Sequence, residues 1–426
     1  MHKIERLLQT LAPKGVEFRK LGDIGEYIRG VTYKKNQEIN NLECGIKVLR
    51  ANNITLSNHL NFEDIKVINK NVKIRKEQYL KKNDILICAG SGSSEHIGKV
   101  AFIDMDFDYV FGGFMGVIRI REVNSRFVYH IFTSNIFKQY LEKSLNTTTI
   151  NNLNANILQN FLIPIPPLEV QQEIVKILDA FTELNTELNT ELKARKKQYQ
   201  YYQNMLLDFK DIHSNHQDAK MSAKTYPKPL QTLLQTLAPK GVEFRKLGEV
   251  CESTNKKTLK ISEVSEVKNK GMYPVINSGR DLYGYYHDFN NDGENITIAS
   301  RGEYAGFINY FNEKFFAGGL CYPYKVKDTN ELLTKFLYFY LKTNEIQIME
   351  NLVSRGSIPA LNKADIETLT IPIPPLEIQQ EIVKILDQFL ALTTDLLAGI
   401  PAEIKARKKQ YEYYREKLLT FKPLKA

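Results

Sequence analysis

The stretch Ile163 to Asp179, IPIPPLEVQQEIVKILD, decides how this chain is built, because it occurs twice. It returns at Ile371 to Asp387 with a single change, Val170 against Ile378. Its prolines exclude a helix over the first half. From Glu169 on, apolar residues recur every three or four positions, as on one face of a helix. The motif therefore reads as an extended connector feeding a helix. Upstream, LLQTLAPKGVEFRKLG at Leu7–Gly22 is identical to Leu233–Gly248, and downstream KARKKQY occupies both Lys193–Tyr199 and Lys405–Tyr411. Between these blocks, 23–160 and 249–368 look almost nothing alike. The pattern is two copies of one frame, each carrying its own insert.

The helix that follows the connector is long. In the first copy Ile174, Ile177, Phe181, Leu184, Leu188, Leu192, Arg195, Tyr199, Tyr202, Leu206 and Phe209 form one seam, with the roughly 3.5-residue period of a coiled coil. A helix from Glu169 to Lys210 would be about 60 Å long, and its stripe needs a partner. The matching stripe of the second copy, from Ile382 to Phe421, supplies one. The copies differ between Asp179 and Lys193, where the second is four residues longer and includes Gly399 and Pro401. A break near Ile400 is expected there. The first copy has instead a tetrapeptide array, Thr182-Glu-Leu-Asn, Thr186-Glu-Leu-Asn, Thr190-Glu-Leu.

Each half opens with a short amphipathic helix, over Ile4, Leu7, Leu8 and Leu11 or Leu230, Leu233, Leu234 and Leu237, ending before Pro13 or Pro239. In the first insert 84–89, 99–103 and 116–121 read as strands, and Phe127–Leu141 as a helix. The second insert echoes this with strands at 295–299 and 306–310 around Ser300-Arg301-Gly302, and a helix at Leu332–Leu341. The expected fold class is α+β: two globular mixed α/β domains joined by two long antiparallel coiled-coil-like helices, with pseudo-twofold symmetry. The expected bounds are 1–162 for the opening helix and first domain, 163–210 for the central helix, 211–230 for a polar linker, 231–370 for the second domain and 371–426 for the last helix.

The 426 residues carry a net charge of +9 and a pI near 9.0, a balance that favours polyanion partners. No run approaches a membrane span, and the start has no apolar signal core, so a cytoplasmic protein is expected. The four cysteines show no CxxC spacing, which suggests neither disulfides nor zinc. No GxGxxG, GxSxG or [Asn/Asp]-Pro-Pro-[Tyr/Phe] tetrapeptide occurs, and Gly90–Lys99 fails as a phosphate loop because Val100 stands where Ser or Thr should follow the lysine. No cofactor and no catalytic role are expected.

Taken together, the duplicated IPIPPLE connector, the paired helices and the diverged inserts resemble the specificity subunit of type I restriction-modification systems. The resemblance covers the whole chain. It implies two target-recognition domains, each reading one half of a bipartite, asymmetric site on double-stranded DNA. The helices would set the distance between halves and dock two methyltransferase (modification) subunits. Nuclease (restriction) subunits are further partners it implies, and catalysis would reside in those partners. The alternative is the same architecture in a methylation-only or other phage-defence complex without a nuclease.

Candidate DNA-binding residues follow from side-chain chemistry. Arg50, Asn52 and Asn53 combine the groups suited to guanine and adenine edges, and Arg301 and Arg280 are candidate readers in the second insert. Ser93, Ser94, His96 and Lys99 lie on the glycine-serine loop, which either approaches DNA or serves only to join strands. Lys34, Lys35, Lys256 and Lys257 suit phosphate, which positions without specifying. Lys193, Arg195, Lys196 and Lys197, with Lys405, Arg407, Lys408 and Lys409, form basic runs kept in both copies. They are candidate contacts to the methyltransferase or to intervening DNA, against the alternative of a solvated helix face.

Overall fold

A computed structural model describes residues 2–39, 44–90, 96–145, 153–209, 226–394 and 398–424. The chain forms two compact units, Met1–Asn189 with Glu403–Ala426, and Thr190–Ala402. Most of the expected linker, 211–225, lies outside the described residues. Among the described residues no helix is long and apolar enough to cross a membrane.

The duplicated blocks pair with each other at the neck of each insert. In unit 1 the strand Glu17–Lys20 runs antiparallel to Leu162–Ile165, with Glu17 opposite Ile165 and Phe18 opposite Pro164. In unit 2 Glu243–Lys246 pairs with Thr370–Ile373 in the same register, Glu243 opposite Ile373. Proline is tolerated because each sheet has only two strands, both edges. Two blocks far apart in sequence are thus one clasp, and they repeat together.

The inserts share a fold despite their sequences. The first head has a four-stranded sheet in the order Gly25–Arg29, Met115–Ile120, Ile85–Cys88, Val100–Phe102; the second has Cys251–Ser253, Cys321–Val326, Glu294–Ala299, Ile308–Asn312. All neighbours in both are antiparallel. A second sheet in each head contains one parallel pair, Ile46–Leu49 with Tyr109–Phe111 and Tyr273–Ile276 with Phe316–Ala317. The strands expected near 84–89, 99–103, 116–121, 295–299 and 306–310 all form. One expectation needs correction: Phe127–Leu141 is not a single helix but Ser125–Phe132 and Asn135–Leu145. At the break Thr133 and Ser134 donate their hydroxyls to the carbonyls of His130 and Ile131, local bonds that compete with helix continuation.

The long helix spans Leu168–Leu207, 40 residues. Its counterpart is interrupted, with Leu376–Thr394 followed by Ile400–Leu419. Pro401 therefore sits in a first turn, where its missing N–H costs nothing, and the break falls where the sequence places it. Val170, Ile174 and Leu178 are buried under the first head with Phe127 and Ile131. Ile378, Ile382 and Leu386 are buried under the second with Phe336 and Leu337.

Each unit also holds the end of the other repeat's helix. In unit 1 Phe181 stacks on Tyr414, and Phe421 meets Phe127 edge-on. In unit 2 Phe389 stacks on Tyr202, and Phe209 meets Phe336 in the same manner. The exchange is reciprocal and uses the tyrosine three residues beyond KARKKQY in each copy.

Polar junctions fasten each head to its helix. The buried Gln171 carboxamide accepts the Asn124 N–H and donates to the Pro166 carbonyl. Gln379 accepts from Leu333 N–H and donates to the carbonyls of Pro374 and Glu331. Farther along, Asp179 accepts from Arg126 and from buried His130, both at 2.8 Å, and Asp387 accepts from Lys335 at 2.7 Å.

Candidate nucleic-acid interface

In the first head strands of both sheets deliver loops to one common edge. Residues after Arg29, Leu49 and Cys88 and those between Phe111 and Met115 meet there, as the pairings Cys88–Met115 and Leu49–Phe111 require. They enclose an open cleft of about 1260 Å³. Of the sequence candidates, Lys35, Arg50, Asn52, His96 and Lys99 all line it, with Lys66, Tyr33 and Phe114. Lys34 is exposed beside it without lining it.

The side chains in this cleft are not equivalent. Arg50 and Asn52 both donate to the Asp64 carboxylate, at 2.7 and 2.9 Å. Asp64 thus holds a guanidinium and a carboxamide side by side at the rim, a role its own sequence context does not announce. The Arg50 Nε and the His96 Nδ1 are buried without a hydrogen-bond partner among the described residues, unsatisfied groups of the kind that a ligand completes.

Two candidates spend their hydrogen bonds within the head. Asn53 is buried: its oxygen caps the Arg50 N–H at 2.8 Å and its amide donates to the carbonyls of Asn61 and Asp64. Lys99 is also buried, donating to the carbonyls of Ile54 at 2.6 Å and Ala51 at 3.3 Å, and burial lowers its pKa. Both are engaged with backbone groups around the loop Arg50–Leu56, although Lys99 still borders the cleft. Ser93 and Ser94 lie outside the described residues.

In the second head the same edge is formed by the loops after Ser253, Ile276 and Ala299 and by Gly318–Leu320, following the pairings Ala299–Cys321 and Ile276–Ala317. These loops carry Lys256, Lys257, Arg280 and Arg301, all exposed. Lys256 lies 4.3 Å over the Tyr322 ring and bonds the Gly319 carbonyl. Arg301 is fixed through its backbone, in a bridge with Ala360, while its guanidinium has no partner among the described residues. The described candidates of the two heads thus occupy one topological edge.

The basic runs on the helices are solvated at the lysines. Lys193, Lys196, Lys197, Lys405, Lys408 and Lys409 are exposed. Arg195 and Arg407 are half-buried, each paired with the glutamate one turn back, Glu191 and Glu403, at 3.5 Å.

The sequence profile of the type I restriction modification DNA specificity domain matches residues 13–198 and again 239–406, most of the chain. This chain belongs to that family. A Mycoplasma pneumoniae protein assigned as a type I specificity subunit is 35% identical over 261 residues, 61% of this chain and 92% of the relative. The specificity subunit of the M. pneumoniae type I restriction enzyme MpnII is 30% identical over 335 residues, 65% of this chain and 93% of its own. In fold, the chain is similar to the crystal structure of a type I system S subunit from M. genitalium. The TM-score is 0.59 at 20% identity, over 95% of this chain and 96% of the other. The doubled profile match coincides with the doubled frame, one copy for each head and its helix.

Proposed function

We propose that the chain is the DNA-recognition and assembly subunit of a type I restriction-modification complex, and that each head reads one half of a bipartite, asymmetric site. One observation carries this reading: two heads with unlike sequences share a sheet topology and present basic, hydrogen-bonding side chains from the same edge. A shared scaffold with diverged loops at one edge suits two readers of different half-sites. Arg50, Asn52, His96, Arg280 and Arg301 are the proposed base-edge contacts, and Lys34, Lys35, Lys256 and Lys257 the proposed phosphate contacts.

The repeated parts take the other role. The 40-residue helix and its interrupted counterpart set the spacer between half-sites. The two basic runs, each beginning at the same motif position, dock two copies of one methyltransferase. Methyl transfer and cleavage belong to the partner subunits, and the chain supplies recognition. Expressing the chain with its methyltransferase and mapping methylated positions across a genome tests this. A single two-part motif is expected; methylation without sequence preference would contradict it.

A further inference from the structure

The two inserts share one short feature that their overall divergence hides. Gly112-Gly113-Phe114-Met115 in the first head and Gly318-Gly319-Leu320-Cys321 in the second occupy the same place in the two sheets. Their backbones are anchored by matching bonds. The N–H of Gly112 donates to the Leu49 carbonyl at 2.9 Å, and that of Gly318 to Ile276 at 2.7 Å. The carbonyl of Phe114 accepts from Ala89, and that of Leu320 from Ser300, both at 2.9 Å. The paired glycines permit this closeness. A Cβ on Gly113 would stand 3.1 Å from the Thr32 hydroxyl oxygen, and one on Gly319 would stand 2.4 Å from that of Thr258.

The side chains are treated in the opposite way. Phe114 is 76% exposed and Leu320 41% exposed. Each large apolar group is therefore held out by a rigid turn, at the edge where the basic residues gather. Phe114 rims the cleft that contains Lys35, Arg50 and Lys66; the Gly319 carbonyl beside Leu320 holds Lys256. An apolar tip flanked by basic side chains, of which Arg50 and Lys66 are also paired with Asp64 and Glu38, suits a polyanion with an apolar interior, as in stacked base pairs between phosphate chains. Proteins that deform DNA insert phenylalanine or leucine between base steps in this way.

We propose that Phe114 and Leu320 are apolar wedges, each inserting at one base step of the half-site that its head reads. The proposal rests on the DNA-reading role given above and adds a mechanism to it: part of the specificity comes from how readily that step unstacks. A wedge in each head makes the two half-sites deform independently.

The test uses the full chain in complex with its methyltransferase, on duplexes carrying the mapped site with 2-aminopurine placed at successive steps. Unstacking raises the fluorescence of the probe. The wild-type complex should show one bright step in each half-site besides the methylated base. Phe114→Ala should abolish that signal in one half only and Leu320→Ala in the other. Each should lower site-specific methylation about tenfold, the loss of roughly one stacking contact. Binding to unrelated duplex should stay unchanged, and unaltered melting curves will show that both variants are folded. A variant that methylates at the wild-type rate overturns the proposal. So does slower methylation with the bright step retained, which would mark a thymine-methyl or other groove contact instead. Both outcomes leave the DNA-reading role standing, whereas absence of any site-specific methylation by the wild type would remove that role itself.

Discussion

Phe181 stacks on Tyr414 with ring centroids 5.6 Å apart and planes 25° from parallel. Two hundred and eight positions along from Phe181, its repeat equivalent Phe389 stacks on Tyr202 at 5.1 Å and 27°. The phenylalanine of each repeat thus meets the tyrosine of the other, and both units gain the same joint from a single duplicated pair of residues. Aromatic pairs contribute about 0.5–1.5 kcal/mol beyond the area they bury. A double-mutant cycle on Phe181→Ala and Tyr414→Ala should give a coupling in that range by denaturant unfolding. Phe181→Ala combined with Tyr202→Ala, which lie in different units, should be additive to within about 0.5 kcal/mol. Additivity in both cycles would mean that the stack contributes nothing.

Gln379 is fully buried and makes three hydrogen bonds, one accepted and two donated. Gln379→Leu keeps the volume but strands the Leu333 N–H and the Pro374 and Glu331 carbonyls. Each orphaned buried group costs about 1–3 kcal/mol, so a marked fall in the melting temperature is expected. The surface substitution Gln380→Leu on the next residue serves as the control and should change it little. Equal effects from the two would contradict the junction role.

The Asp179 cluster gives unit 1 a defined response to acid. Burial holds the pKa of His130 below its ordinary value. Burial also opposes ionisation of Asp179, but bonds from His130 and Arg126 outweigh it and keep the carboxyl below the usual range. Both groups take up protons more readily when unfolded. Stability from His130 is therefore present above about pH 6.5 and lost as pH falls below it; that from Asp179 is present above about pH 4 and lost as pH falls further. Melting temperatures followed from pH 8 to pH 4 should decline, and His130→Asn should flatten the part of the decline nearest pH 6. An unchanged slope in that variant would place the acid sensitivity elsewhere.

The tetrapeptide array lies wholly within the helix Leu168–Leu207. Deleting Thr186–Asn189 removes about 6 Å of helix, close to two base-pair steps of duplex. The unspecified spacer in the methylated motif should shorten by one or two base pairs while both half-sites keep their sequences. Methylation mapping of the deletion variant that returned the original spacer would separate helix length from spacer length.

Much of the architecture is legible because repetition marks it. The extended connector, the long helix and the break at Ile400 follow from prolines and from periodicity, which are local signals, whereas the pairing of the connector with Glu17–Lys20 joins residues far apart in the chain. Burial is not local, and there the reading falls short. Asn53 and Lys99 have the chemistry of DNA contacts, yet the fold turns both inward to satisfy backbone carbonyls. Gln171 and Gln379 stand inside the most telling motif, but nothing in one sequence distinguishes a buried glutamine from a solvated one. The match between Phe114 and Leu320 emerges only from sheet register, since the residues around them share little beyond two glycines.

Recognition by two independent heads is most directly tested by exchanging one head. The insert 23–160 would be replaced with that of a relative of different specificity, and the methylated motif mapped genome-wide in complex with the methyltransferase. The predicted result is a new sequence in one half-site, with the other half and the spacer unchanged. A change in both halves, or a motif that is not divided in two, would contradict it.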